Sequence, residues 1–225
     1  MGSRFKMKTL WNSPDRKLLI IVGAIAVFTI ALSIYAHSLP YFPGDLSLTL
    51  LFQSLDSDSL LLVMKWISSA FEGWRAYALV SVVSIIVWWR LGKLKATLAA
   101  SAGFSSLLIA VLKSAVDRPR PTADLVKVWE VKHDPSFPSG HAFYIMAILG
   151  LAAYLAFTYI RNPALRTASV TILIILILLT GISRIYLGAH WPSDVLGGYM
   201  AGAVIPGMLI WLDRALSRRR STPPN

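Results

Sequence analysis

The chain has no cysteine, little charge and few acids. Without cysteine there is no disulfide, no thiol nucleophile and no thiolate metal site. Only 15% of its 225 residues are charged and 56% are hydrophobic, which excludes an ordinary soluble domain. No repeat of 20–50 residues is visible. No cleavable leader is evident either, because the basic start runs into an apolar stretch of nearly full membrane length with no small-residue cleavage site close behind it. Acids with metal-ligand spacing are missing too, so no metal or other cofactor is expected.

What is present is a series of apolar runs of about twenty residues, the length a helix needs to cross a bilayer. The reading is an all-α polytopic membrane protein with a single six-helix domain at 18–213. It has a basic tail at 1–17 (Arg4, Lys6, Lys8, Arg16, Lys17) and a second basic, disordered tail at 214–225 (Arg214, Arg218, Arg219, Arg220). The six spans are Leu18–Ala36, Trp74–Trp89, Ala96–Leu112, Gly140–Ile160, Thr167–Ile185 and Trp191–Leu212. Residues 46–72 are interrupted by Asp56, Asp58, Lys65 and Glu72 and read as interfacial helix rather than a span. Trp88, Trp89, Trp74, Trp191 and Trp211 sit at span ends, as ring anchors at the headgroup level do.

Charge sets the orientation. With both termini inside, the inner segments hold fourteen of the 22 Lys and Arg but only Asp15 and Asp213 of the eleven acids. This gives about +12 inside and −1 outside, a strong positive-inside signal. The formal net charge of +11 therefore reflects topology, and no nucleic-acid partner is expected. Oligomeric state is not readable from the sequence. Gly198-x-x-x-Gly202 allows close helix packing within the bundle as well as between copies.

Three polar stretches then fall together on the outer face. The first is Lys113, ending the third span, with Arg120 seven residues on. Pro119 and Pro121 push Arg118 and Arg120 into extended loop geometry, so that Arg120 can fold back on Lys113. Asp117 and Arg118 read as a local loop pair. The second is Pro138-Ser139-Gly140-His141, a helix N-cap whose free N–H groups suit an anion. The third is Ser183-Arg184, then His190 and Asp194 four apart. A carboxylate on one imidazole nitrogen fixes the tautomer and leaves the other as base or nucleophile. Each stretch alone has a plainer reading: a snorkelling lysine, an ordinary cap, a structural Asp–His pair. Together they favour phosphoryl transfer through a histidine, with a second histidine as acid and cations on the phosphate oxygens. His133 and His37 read as loop histidines without a role or partner.

Lys113-x6-Arg120-Pro121, Pro138-Ser139-Gly140-His141 and Ser183-Arg184-x5-His190-x3-Asp194 resemble the three-part signature of the type 2 phosphatidic acid phosphatase family. That family also includes soluble haloperoxidases, a branch the apolar spans argue against. The resemblance implies His190 as the nucleophile forming a phosphohistidine and Asp194 orienting it, with His141 protonating the leaving group. It implies Lys113, Arg120, Arg184, Ser139 and the Gly140 N–H as the phosphate ligands, without a metal. The expected substrate is a lipid phosphomonoester or diphosphate such as phosphatidylglycerol phosphate, phosphatidic acid or undecaprenyl diphosphate, hydrolysed at the outer face of the cell membrane. Phosphate transfer to another acceptor, or non-catalytic phospholipid binding or transport, are the alternatives.

Overall fold

The structure is a computed structural model that describes residues 14–92, 95–97, 100 and 105–221. Arg4, Lys6, Lys8, Lys93 and the start of the expected third span lie partly or wholly outside the described residues, as do residues 222–225 and the side chains of Arg218, Arg219 and Arg220. The described residues form eight helices and no strand: α1 (Pro14–Ser38), α2 (Asp45–Gln53), α3 (Asp58–Ala70), α4 (Trp74–Leu91), α5 (Ser105–Val116), α6 (Gly140–Tyr159), α7 (Pro163–Tyr186) and α8 (Pro192–Ser221).

Five of these helices (α1, α4, α6, α7 and α8) are long and apolar enough to cross a membrane. At 1.5 Å per residue the 24 residues of α7 reach roughly 36 Å, ample for a hydrocarbon core of about 30 Å. Of the expected third span, Ala96–Leu112, the continuously described part lies in the 12-residue α5, roughly 18 Å long. Residues 46–72 form two short helices, α2 and α3, bent by 119° at their junction. Neither alone reaches across a bilayer. The last helix does not give way to a disordered tail at 214. It continues to Ser221, since Arg214 and its neighbours carry no helix-breaking residue.

The outward surface is aliphatic. Ile20, Val27, Ile30 and Ile34 of α1 and Ile172 and Ile175 of α7 are all at least half exposed or nearly so, as lipid-facing residues must be where no water competes. Inside, Ile145, Ile148 and Leu149 of α6 pack with Ile177 of α7. Phe143 of α6 packs with Ile109 of α5 and Ala201 of α8. Lipid is as apolar as these side chains, so helix association rests on close contact rather than on expulsion of water. The Gly198/Gly202 face of α8 meets α6 within the bundle. A Cβ on Gly202 would lie 2.5 Å from the Phe143 carbonyl oxygen and 3.0 Å from Met146 Cβ.

The topology brings one end of every long helix near the site to the same place. The C-terminal ends of α5 and α7 and the N-terminal ends of α6 and α8 meet there, with α2 and α3 lying over them. Gln53 of α2 clasps this end. Its amide donates to the Lys127 and Tyr186 carbonyls at 2.7 and 2.9 Å and accepts from the Lys127 N–H at 2.9 Å. At the other end Lys95 donates to Asp213 at 2.9 Å and to Tyr159.

Gly202→Ala is expected to destabilise the bundle by about 1–3 kcal/mol, because the added methyl overpacks the α6–α8 contact. The thermal midpoint in detergent should drop by several degrees while the oligomeric state stays the same. An unchanged midpoint would contradict the close approach, and a shift in oligomeric state would place the glycine face between copies.

Candidate active site

The third stretch builds the centre. After α7 the chain turns sharply at Leu187–Gly188, where Gly188 takes a left-handed φ of 67° that suits glycine. The Ala189 and His190 N–H groups both fold back on the Arg184 carbonyl, at 3.1 and 3.2 Å. This places His190 just ahead of α8, which opens at Pro192 rather than at His190, so the histidine and Asp194 do not share a helix face. His190 Nδ1 and Asp194 Oδ2 are 3.6 Å apart, longer than a hydrogen bond. Ser136 bridges them: its hydroxyl donates to Asp194 Oδ2 at 2.5 Å and lies 3.5 Å from His190 Nδ1. The Trp191 N–H also donates to Asp194 Oδ2, at 2.9 Å.

The other imidazole nitrogen faces the cations. His190 Nε2 lies 3.2 Å from Arg120 Nη1. Arg120 also donates to the Ala189 carbonyl at 2.5 Å and to the Asp134 carboxylate at 2.9 Å. Lys113 Nζ donates to the same carboxylate at 2.6 Å, so Asp134 joins the two cations that the sequence pairs. Arg184 is fully buried and makes a two-pronged pair with Glu130 at 2.7 and 3.0 Å, with a further bond to Ser68. Lys132 stands 3.2 Å from Glu130 and pairs with Glu72.

Ser139 occupies the N-cap position of α6, but its hydroxyl does not cap. Its N–H instead donates to the Asp194 carbonyl at 2.9 Å, which ties the starts of α6 and α8 together. The Ser139 hydroxyl, His141 Nε2 and Arg184 Nε are buried with no hydrogen-bond partner among the described residues. A buried polar group left unpaired costs about 1–3 kcal/mol, so three at one site are unusual. The space beside Gly140 is open: a Cβ there would meet only Lys113 Cε, at 3.9 Å. A cavity of 210 Å3 reaches this point from the α3–α4 junction and is lined by Glu72, Tyr77, Gly140, His141 and Tyr144 among others.

Electrostatics follow from this crowding. His190 is held well below the usual histidine value of 6.5, first by burial and then by the positive charges of Arg120, Arg184 and Lys113. Burial works to raise the Glu130 and Asp134 carboxyls, but bonds and charge from Arg184 and Lys132 hold Glu130 at about 2. Lys113 and Arg120 do the same for Asp134, also at about 2. Both loop carboxylates therefore remain charged partners of the cations throughout the neutral range.

All eight sequence-predicted residues, His190, His141, Asp194, Lys113, Arg120, Ser139, Gly140 and Arg184, lie at this one end of the bundle. Three readings change. Arg118 is not a loop residue paired with Asp117 but is fully buried, donating to Asp194 Oδ1 at 2.5 Å and to Asp45 Oδ2 at 3.1 Å. Trp191 is 1% exposed and packs 5.1 Å from the Tyr41 ring, so it is core and not a membrane anchor. His37 has a partner, the Val116 carbonyl at 2.9 Å from Nδ1. Ser136, Glu130, Asp134 and Asp45 were not singled out from the sequence. The available signal was nine acids on the side that carries eight cations.

Comparison with known proteins finds relatives in both sequence and fold. The pattern of the PAP2 superfamily matches residues 94–217. Phosphatidylglycerophosphatase B of Bacillus subtilis (strain 168) is 33% identical over 120 residues, 52% of this chain and 57% of the relative. Putative undecaprenyl-diphosphatase YbjG of Escherichia coli (strain K12) is 36% identical over 80 residues, 35% of this chain and 36% of the relative. The match thus spans about half or less of these relatives' length. In fold, the chain is similar to the crystal structure of a transmembrane PAP2 type phosphatidylglycerolphosphate phosphatase from Bacillus subtilis, with a TM-score of 0.76 at 23% identity over 88% of this chain and 98% of the other. It is also similar to Aquifex aeolicus LpxE, with a TM-score of 0.59 at 22% identity over 75% and 96%.

The lowered His190 value has a sign that can be checked. The unfolded chain takes up a proton on this imidazole near 6.5 and the folded one does not, so folding stability is lost as pH falls below that value. In protein carrying 15N-labelled histidine, the His190 resonance, assigned by its loss in His190→Asn, should remain that of a neutral ring at pH 6. A midpoint at or above 6.5 would contradict the burial and charge argument.

Proposed function

The chain belongs to the PAP2 superfamily, and we propose that it is an integral-membrane lipid phosphatase acting through a phosphohistidine. The observation that carries this reading is the convergence on one imidazole of three segments far apart in sequence. His190 Nε2 meets Arg120 at 3.2 Å, beside the buried, unpartnered Ser139 hydroxyl, His141 Nε2 and Arg184 Nε.

In the proposed first step His190 Nε2 attacks phosphorus. A P–N bond forms as the bond from phosphorus to the lipid oxygen breaks, and His141 gives its proton to that oxygen. Asp194, acting with Ser136, holds the Nδ1 side of the ring while positive charge builds on it. In the second step water attacks phosphorus, His141 takes a proton from it, the P–N bond breaks and inorganic phosphate leaves. Lys113, Arg120 and Arg184 bind the three equatorial oxygens, displacing Asp134 and Glu130, whose carboxylates pair with these cations in their place. The Ser139 hydroxyl and the Gly140 N–H at the start of α6 add donors where a helix terminus favours an anion. None of these roles calls for a metal.

A lipid substrate follows from siting. The phosphate site lies at the ends of the spans, and the cavity beside His141 opens toward Tyr77 on the lipid-facing α4, so the head can reach the cations while the tails remain in the bilayer. The relatives' names make phosphatidylglycerol phosphate and undecaprenyl diphosphate the first substrates to test. The charge distribution supports termini in the cytoplasm and a site facing outward in the cell membrane.

Two experiments test this reading. Purified protein in detergent with chelator should release phosphate from lipid phosphates, and His190→Ala should lower kcat by on the order of 10⁴-fold or more. Activity surviving the substitution would sink the mechanism. Orientation is checked in a chain with no native cysteine. An impermeant thiol reagent added to intact cells should label Asp124→Cys and leave Arg161→Cys untouched; the reverse pattern would overturn the topology.

A further inference from the structure

Arg118 has an arrangement that the two-step scheme does not use. Its guanidinium is fully buried and held by groups that the fold itself fixes: Asp194 Oδ1 at 2.5 Å, Ser193 Oγ at 2.8 Å, Asp45 Oδ2 at 3.1 Å and the Leu39 carbonyl at 3.2 Å. Its flat face lies over the Phe42 ring at 4.5 Å. Asp45, at the start of α2, is equally fixed. Its Oδ1 accepts from the Ser193 N–H at 2.9 Å, and its Oδ2 accepts from the Ser193 hydroxyl at 2.6 Å and the Phe42 N–H at 2.7 Å. One guanidinium thus stands between two carboxylates, one on α2 and the other beside His190.

The partners of Asp194 show what this does. Oδ2 is engaged by Ser136 and the Trp191 N–H, on the side of the His190 ring. Oδ1 is engaged by Arg118. Arg118 therefore fixes the carboxylate from behind, and Asp45 fixes Arg118. An arginine suits the place: it stays charged, and its planar fork can serve two carboxylates at once with defined angles, which a lysine cannot.

We propose that Arg118, fixed by Asp45, is a positioning residue for phosphoryl transfer, so that the α1–α2 connection and the start of α2, outside the matched 94–217 region, belong to the catalytic apparatus. This rests on the reading of His190 and Asp194 given above. Neither Arg118 nor Asp45 touches substrate; both act through Asp194. A residue acting this way should change the rate of the chemical step and leave phosphate binding alone, whereas a purely structural tie between α2 and α8 would change folding, or binding and rate together.

The test is Asp45→Asn, which keeps the shape and an acceptor for the Ser193 N–H but removes the charge, beside Arg118→Lys, which keeps the charge but removes the fork. Asp45→Asn carries the test alone if Arg118→Lys does not fold. The expected result is a fall in kcat of about tenfold to a hundredfold, by analogy with outer partners that orient metal-binding side chains, with KM and vanadate inhibition close to wild type. Wild-type kcat in Asp45→Asn would overturn the proposal, and so would parallel loss of rate and vanadate binding. His190→Ala, run alongside, separates the two failures. Activity surviving in it refutes the phosphohistidine reading and this proposal together; its loss, with wild-type kcat in Asp45→Asn, refutes this proposal alone.

Discussion

A single buried carboxylate holds the site together. Asp194 has no solvent exposure, and its side chain is shared among Arg118, Ser136, the Trp191 N–H and the nearby His190 ring, while its carbonyl takes the Ser139 N–H. These partners come from the two ends of the α5–α6 loop and from the turn before α8. A charge at the edge of a membrane is expensive without partners. Removing one partner of a buried ion pair costs about 3–5 kcal/mol, so the loops are not free to drift from this point. The same contacts that make the charge tolerable also aim the His190 ring.

Around this anchor the electrostatics are balanced in pairs. Two helix N-termini, of α6 and α8, and three cations converge, which gives a strongly positive pocket. Asp134 and Glu130, both held at about 2, answer Lys113, Arg120 and Arg184. Glu130 turns both oxygens toward the Arg184 fork, Asp134 gives one oxygen to Arg120 and the other to Lys113, and the two carboxylates sit on one loop. In the proposed reaction, phosphate binding is an exchange of anions on a preformed cation set rather than the creation of one. Burial first, and then the positive field, keeps His190 neutral, which is the form that can attack phosphorus in the proposed reaction.

Much of this was legible in the sequence, and the limits are physical. Apolar runs and charge-poor windows mark the long helices, because the bilayer imposes a length on each. The eight site residues stand in short local patterns at span ends, where one dimension suffices to group them. The supporting residues do not. Arg118 lies two positions from Arg120 and reads as a loop partner of Asp117, yet beyond the turn at Asp117, with φ 47°, it enters the protein interior. Asp45 and Ser136 lie 149 and 58 positions before Asp194, and only the folded chain brings them to it. Trp191 reads as an anchor because a tryptophan at a span end is usually one, whereas here it follows the buried turn that carries His190.

The central claim is that phosphate passes through a covalent bond to His190. Incubating the protein briefly with a 32P-labelled lipid phosphate, quenching in alkali and mapping the label by peptide mass spectrometry tests it directly. The account predicts an acid-labile, alkali-stable phosphate on His190. Label on another residue, or turnover with no labelled protein at any quench time, would contradict it.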